Sequence, residues 1–333
     1  MLPRESAEYI VGLAKHVKYD DEKTEELSQM LFDAIVSKQF GKHSYSSHPM
    51  HPKDKTEAQV NWIFFIDLLN FSFWTEEPKY CVNFKNENYT GYFALCAALN
   101  RAINEGYQLD EPRIFSEISQ EKLAHVLRSN SETEIPLLKE RLDCLHQAGH
   151  TLLNNFDGSF VNCVKKSDKS AQKLLELILE NFPCFRDSCT YENKTVTFYK
   201  RAQILIADLW LCFDGESYGE FHDIDTLTAF ADYRVPQVLA YFGSISYDSH
   251  LMEKLSTGQL LLNGSEEEAE IRGITIFACE KLKEKTAKKL AENGSMEVVN
   301  SILVDNFLWD FRRDHVQLIE TSIPMHKTRC IFY

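Results

Sequence analysis

A chain of 333 residues with 44% hydrophobic and 26% charged content can bury a sizeable core and is not a disordered protein. Its formal net charge of −14 repels a phosphate backbone, which excludes a broad nucleic-acid footprint but leaves room for a small anion in a local cationic pocket. The nine cysteines show no CxxC or other metal-finger spacing, and their odd number points to a reducing compartment rather than a disulfide framework. The N-terminal "MLPRESAEYIVGLAKHVKYDDE" lacks the apolar core of a signal peptide. No apolar stretch reaches the roughly 18 residues that a membrane span needs. No membrane partner and a cytoplasmic location are therefore expected, with the nucleus as a second compartment.

Helical periodicity dominates in chain order. Residues 22–39 place Leu27, Met30, Leu31, Ala34 and Ile35 on one stripe. Residues 41–56, with two prolines and no apolar period, read as loop. Residues 57–74 are apolar nearly all round and predict a central helix. A hairpin is expected within 80–92, then helices near 92–105, 116–128 and 134–149, and a loop with extended character over 155–170. Further helices are expected over 169–181 and 195–213. Residues 235–258 read as helix, Gly-containing turn, helix, a helix-hairpin-helix shape. A long helix over 265–292 stops at "ENG", a last one covers 297–313, and the apolar tail "PMHKTRCIFY" should dock. With no internal repeat, the fold class is mainly α, a single helical domain over 1–333 with a small β element. Its parts are 1–56 and a catalytic 57–333, and the loop at 155–170 is the one plausible boundary.

Polar residues inside apolar helices carry the chemical signal. Asp67 and Asn70 are three apart and share a helix face; a carboxylate there either satisfies a helix end or an arginine, or meets a ligand. Tyr199, Lys200, Arg201, Gln203 and Asp208 interrupt another apolar stripe, as snorkelling side chains or as a grip on phosphate. Asp232, Tyr233 and Arg234 precede Pro236, so the triplet should stand at a helix entrance, where an Asp is ordinarily a cap. "VDNFLWDFRRDH" brings Asp305, Trp309, Asp310 and Asp314 together. His48 and His51, flanked by Pro49 and Pro52, read as loop histidines rather than a metal pair.

The blocks "LNFSFW", "FYKRAQIL", "FADYRVPQVL", "EIRG", "LWD" and "HKTRCIFY", in this order and spacing, resemble the queuosine salvage proteins from about residue 57 to the C-terminus. The resemblance implies a DNA-glycosylase-like helical fold and hydrolysis of queuosine 5′-monophosphate to queuine and ribose 5-phosphate. The released base would serve tRNA modification. It implies a mononucleotide rather than a polymer, with no metal and no cofactor. Carried over, Asp232 is the catalytic carboxylate, suited to an oxocarbenium-like sugar and its attacking water. Asp67 or Asp310 would accept from the guanine-like edge, and Asn70 would bond the base or its cyclopentenediol. Phe71, Phe73 or Trp74 would stack on the base, although residues 71 and 73 point some 200° apart in a regular helix, so at least one ring is core. Lys200 and Arg234 would hold the phosphate, helped by Tyr199 or Tyr233. Arg312 and Arg313 stand as surface or auxiliary phosphate contacts, and His326 and Arg329 have no assigned role.

Two other functions fit parts of the pattern. A nucleic-acid glycosylase that flips a base shares the chemistry, but the acidic charge opposes it. A non-catalytic module that binds queuine or its nucleotide would use the same rings and cations without needing Asp232.

Overall fold

The structure, a computed structural model, describes residues 1–42, 48–51 and 54–333. It is mainly helical, and the described strands form three two-stranded antiparallel pairs. The chain makes two compact units. One comprises Met1–His43, Asp187–Lys200 and Asp225–Arg329, the other Ser44–Arg186, Arg201–Ile224 and Cys330–Tyr333.

The first unit is built on the helix Glu266–Glu292. Ser265 caps it by accepting from Glu268 N at 3.4 Å, and three glutamates in its first turn complement the helix dipole. Helices Pro3–Val11 and Asp21–Val36 lie against it. At the first of these crossings Gly273 is obligatory, because a Cβ there would stand 2.5 Å from Ile10 Cδ1. Glu270 fixes the following segment by accepting from the N–H groups of Lys15, His16 and Val17 at 2.9, 2.7 and 3.1 Å. That segment continues as strand Val17–Tyr19, antiparallel to Ile245–Tyr247. A second pair, Ser188–Tyr191 with Lys194–Thr197, turns through Glu192 and Asn193, both at positive φ, as a tight hairpin requires.

The second unit is centred on the helix Glu57–Leu68, buried at Val60 and from Trp62 to Leu68. Phe64 stacks on Phe160 at 4.2 Å and meets Phe182 at 5.0 Å. The expected hairpin is Cys81–Phe84 paired with Glu87–Thr90, around Lys85 and Asn86 at positive φ. The C-terminal tail docks: Tyr333 is buried and its carbonyl accepts from Ser72 N at 2.9 Å.

Several expectations change. The helix read over 57–74 ends at Leu68, so the angular argument about Phe71 and Phe73 does not apply. Residues 155–170 contain the helix Phe160–Lys166, capped by Ser159 and driven by burial of Phe160, Val161 and Cys163. The helix read over 195–213 begins only at Lys200, because residues 194–197 are a strand. The connection inside 235–258 is the strand Ile245–Tyr247 rather than a bare turn. Long-range pairing with Val17–Tyr19 claims those residues, which no local pattern reveals. A two-turn helix, Val316–Ser322, follows Ser301–Asp314 and was not expected. In the loop 41–56, positions 43–47, Pro52 and Lys53 lie outside the described residues; His48 stacks on Phe93 at 3.7 Å.

Candidate active site

Residues 228–234 have neither helix nor strand, yet the first unit fixes them atom by atom. Asp305, 5% exposed, accepts from Phe230 N at 2.7 Å through Oδ2. Arg272 Nε donates to Ala231 O at 3.1 Å. Asp232 Oδ1 accepts from Arg234 N and Val235 N at 2.7 and 2.9 Å, the first amides of the helix Val235–Tyr241. Pro236 sits inside its first turn, so Asp232 does stand at a helix entrance, two residues before the N-cap residue Arg234. The carboxylate is half-buried, and among the described residues its Oδ2 accepts no hydrogen bond.

Behind this segment lies a buried ionic network. Arg272, 1% exposed, donates to Asp187 at 2.9 and 2.5 Å and to Glu268 at 3.4 Å, and its guanidinium covers the Phe198 ring at 4.1 Å. Asp187 also accepts from Lys200 N at 3.1 Å. Tyr199, immediately before it, has φ +48°, an uncommon conformation for a bulky residue, and its amide is held by Asp187 O. Lys200 is 7% exposed and acts electrostatically on Asp305. Burial, and then the charge of Asp232, push Asp305 up to about 7, against the Phe230 N–H and Lys200. Asp232, Asp305 and Lys200 therefore share one electrostatic neighbourhood, and Asp305 carries a proton much of the time at neutral pH.

Arg234 covers the Tyr233 ring at 5.2 Å and donates to Gln237 Oε1 at 3.2 Å. It also reaches Glu320 at 3.4 Å. Asp310 is 4.0 Å from Arg313; burial pushes it up to about 6, with the charge of Asp314 adding to the rise and that of Arg313 opposing it. No hydrogen bond or ion pair links Asp310 to Asp232 among the described residues.

The second unit holds the other sequence-predicted residues. Asn70 donates to Asp67 Oδ1 at 3.0 Å, so this acid and amide do meet. Arg201 donates to the carbonyls of Asp67 and Leu68 at 3.0 and 2.9 Å, and Arg141 to those of Leu69 and Phe71. The two cations thus cap the negative end of the helix Glu57–Leu68. Phe71 is fully buried, with Arg141 at 4.3 Å and Arg201 at 4.8 Å from its ring centre. Trp74 is 8% exposed, and Phe73 is the half-buried ring of the three.

The model of a family described as queuosine salvage protein matches residues 50–333. A protein of Bos taurus named queuosine 5′-phosphate N-glycosylase/hydrolase is 42% identical over all of this chain and 99% of its own length. One of Nematostella vectensis with the same name is 43% identical over all of this chain and 99% of its own. One of Schizosaccharomyces pombe, also so named, is 36% identical over 87% of each. The chain belongs to the queuosine salvage protein family. Placed on this family member, the block "FADYR" is the segment fixed by Asp305 and Arg272, and "EIRG" supplies the arginine that fixes it. Sequence reasoning had no role for Arg272, Asp187, Glu268 or Glu320, and it noted Asp305 without one. The available signal was Glu268 four residues before Arg272, a spacing that puts acid and base on one helix face just ahead of the apolar run Gly273–Ala278.

Proposed function

We propose that the chain hydrolyses the N-glycosidic bond of queuosine 5′-monophosphate, releasing queuine for salvage into tRNA modification, with Asp232 as the carboxylate at the reacting sugar. The names of the relatives support the reaction. The observation that supports the residue is the half-used carboxylate of Asp232: one oxygen is locked by two amides, and the other is not engaged by any described residue. Cleavage builds positive charge on the sugar ring, and a fixed anion stabilises it without reorganising. The same oxygen can take a proton from the attacking water.

The leaving 7-deazaguanine has no N7 lone pair, so its departure needs help at another edge. Asp310, pushed up to about 6, is an acid that holds its proton in part near neutrality. Lys200 and Arg234 are the cations for the phosphate, and Tyr199 and Tyr233 the hydroxyl donors. In the second unit, taken by itself, Phe73 and Trp74 offer ring surface and Asn70 with Asp67 the polar edge suited to a flat base, while Phe71 is committed to Arg141 and Arg201. We assign this activity to the cytoplasm, with the nucleus as a second compartment.

The test is chromatography of purified protein incubated with queuosine 5′-monophosphate, beside Asp232→Asn. Asn keeps the capping oxygen and removes the charge. Queuine released by the wild type and about a hundredfold or more slower by the variant supports the reading. Equal release by both removes Asp232 from the chemistry, and bound but intact nucleotide with both leaves a binding module.

A further inference from the structure

Two half-hidden arginines of the first unit converge on the carboxylate of Glu320. Arg312 Nη2 lies 2.5 Å from Glu320 Oε1 and Arg234 Nη1 lies 3.4 Å from the same oxygen. The arginine side chains are only 13% and 18% exposed, whereas that of Glu320 is 35% exposed. Two cations brought this close repel each other; burial, then Arg234, push Arg312 down to about 10. Arg312 Nε is buried and has no hydrogen-bond partner among the described residues. The fork therefore has more donors than one carboxylate oxygen uses. It is also braced: Gln237 accepts from Arg234 at 3.2 Å and donates to Ile323 O at 2.6 Å.

The carboxylate, by contrast, is lightly held. It sits on the helix Val316–Ser322, whose one buried residue is Ile319, with Val316 and Leu318 exposed. Asp232 and Tyr233 act electrostatically on Arg312, so the fork and the proposed catalytic carboxylate belong to one cluster. A phosphate monoester presents three oxygens and close to two negative charges. It satisfies two guanidinium forks better than a single carboxylate can.

We propose that Arg312 and Arg234 form the seat of the substrate's 5′-phosphate, and that Glu320 holds the same seat as a built-in competitor that the phosphate displaces. The inference rests on the nucleotide-hydrolase reading above and adds two residues to it. Glu320 then sets the threshold for the phosphate. A nucleoside, without an anion, does not displace it, so the pair selects nucleotide over nucleoside.

The test separates binding from turnover. Calorimetry with ribose 5-phosphate is run on the wild type, Glu320→Gln, Arg312→Ala and Arg312→Lys, and the ratio of kcat/KM for queuosine 5′-monophosphate over queuosine is measured on the same proteins. Glu320→Gln is expected to tighten ribose 5-phosphate several-fold. Arg312→Ala is expected to weaken it at least tenfold and to lower the kcat/KM ratio by a similar factor, with Arg312→Lys between. Glu320 is on the surface, so its variant reads the seat without unfolding the protein. Weaker or equal binding in Glu320→Gln overturns the competitor, and undiminished binding in Arg312→Ala overturns the seat. If the wild type hydrolyses nothing, the hydrolase reading fails by itself, and the ribose 5-phosphate affinities still decide whether the fork binds the monoester.

Discussion

Arg272 in the first unit and Arg201 in the second are each 1% exposed, and their charges are met in opposite ways. Arg272 is held by two carboxylates, Asp187 and Glu268. Arg201 donates to three backbone carbonyls, of Asp67, Leu68 and Cys184, and its guanidinium lies on the rings of Phe71 and Phe185. The first arrangement joins charged groups from separate stretches of chain and extends to Ala231, next to the proposed catalytic acid. The second finishes a helix whose last carbonyls would otherwise be dry. A buried arginine therefore signals a site only when what it holds is a functional segment; the same residue type can be a helix cap.

The largest expected effect is at the ionic network. Arg272→Met leaves Asp187 and Glu268 buried without their counter-charge and should cost about 3–5 kcal/mol in urea unfolding. Adding Asp187→Asn to that variant should recover part of the loss, with a coupling of about 1–3 kcal/mol. Strict additivity would mean that the network is not an ionic unit. Arg201→Met should also destabilise, but by less, about 1–3 kcal/mol, because it leaves neutral carbonyl acceptors rather than buried charges without their partner. Arg201→Lys should restore little of it, because one ammonium does not reproduce the fork.

Next in size is Asp232→Asn, with kcat lower by about 10²–10³. Its unfolding midpoint should stay close to wild type, since the amide oxygen can still cap Arg234 and Val235. A loss of stability as large as that of Arg272→Met would make Asp232 a structural cap and erase the contrast between the segment and its support.

A smaller effect is the pH response, expected mainly in the first unit. Burial, then Arg272, push His326 down to about 3 from 6.5, so its contribution is fully present above pH 6.5 and is lost as pH falls toward 3. Asp305 is raised from 3.8 to about 7, so stability declines as pH rises between those values and levels off above. His326→Gln should flatten the acid limb and Asp305→Asn the decline toward neutrality, read from urea midpoints between pH 4 and 8. Hydrogen exchange that loosened both units equally across this range would contradict the assignment. The smallest change is Phe73→Leu, which loses a half-buried ring 5.5 Å from Arg141 and should cost under about 1 kcal/mol, less than Phe71→Leu.

Much of this was readable in the residues. The 3.6-residue apolar period located Asp21–Val36, Tyr92–Asn104 and Ala171–Asn181 within a few residues, and Pro236 after a polar triplet placed Asp232 at a helix entrance. Two of the misreadings share one cause. Ile245–Tyr247 became a strand, and the helix from residue 57 stopped at Leu68, because partners far along the chain supplied the hydrogen bonds. Local pattern reports what a segment prefers; it does not report who completes its backbone.

The sequence by itself determined the helical character, the acidic surface charge, the family resemblance and the position of the proposed acid, since these depend on residue type, period and order. Only the tertiary structure decided that Arg272 and Asp305 fix the segment around Asp232, that Arg312 and Arg234 meet at Glu320, and that Phe71 is locked beneath two guanidiniums. Burial and ion pairing act over a few ångströms in space, between residues as far apart in sequence as Asp187 and Arg272, and that proximity has no local period from which to be read.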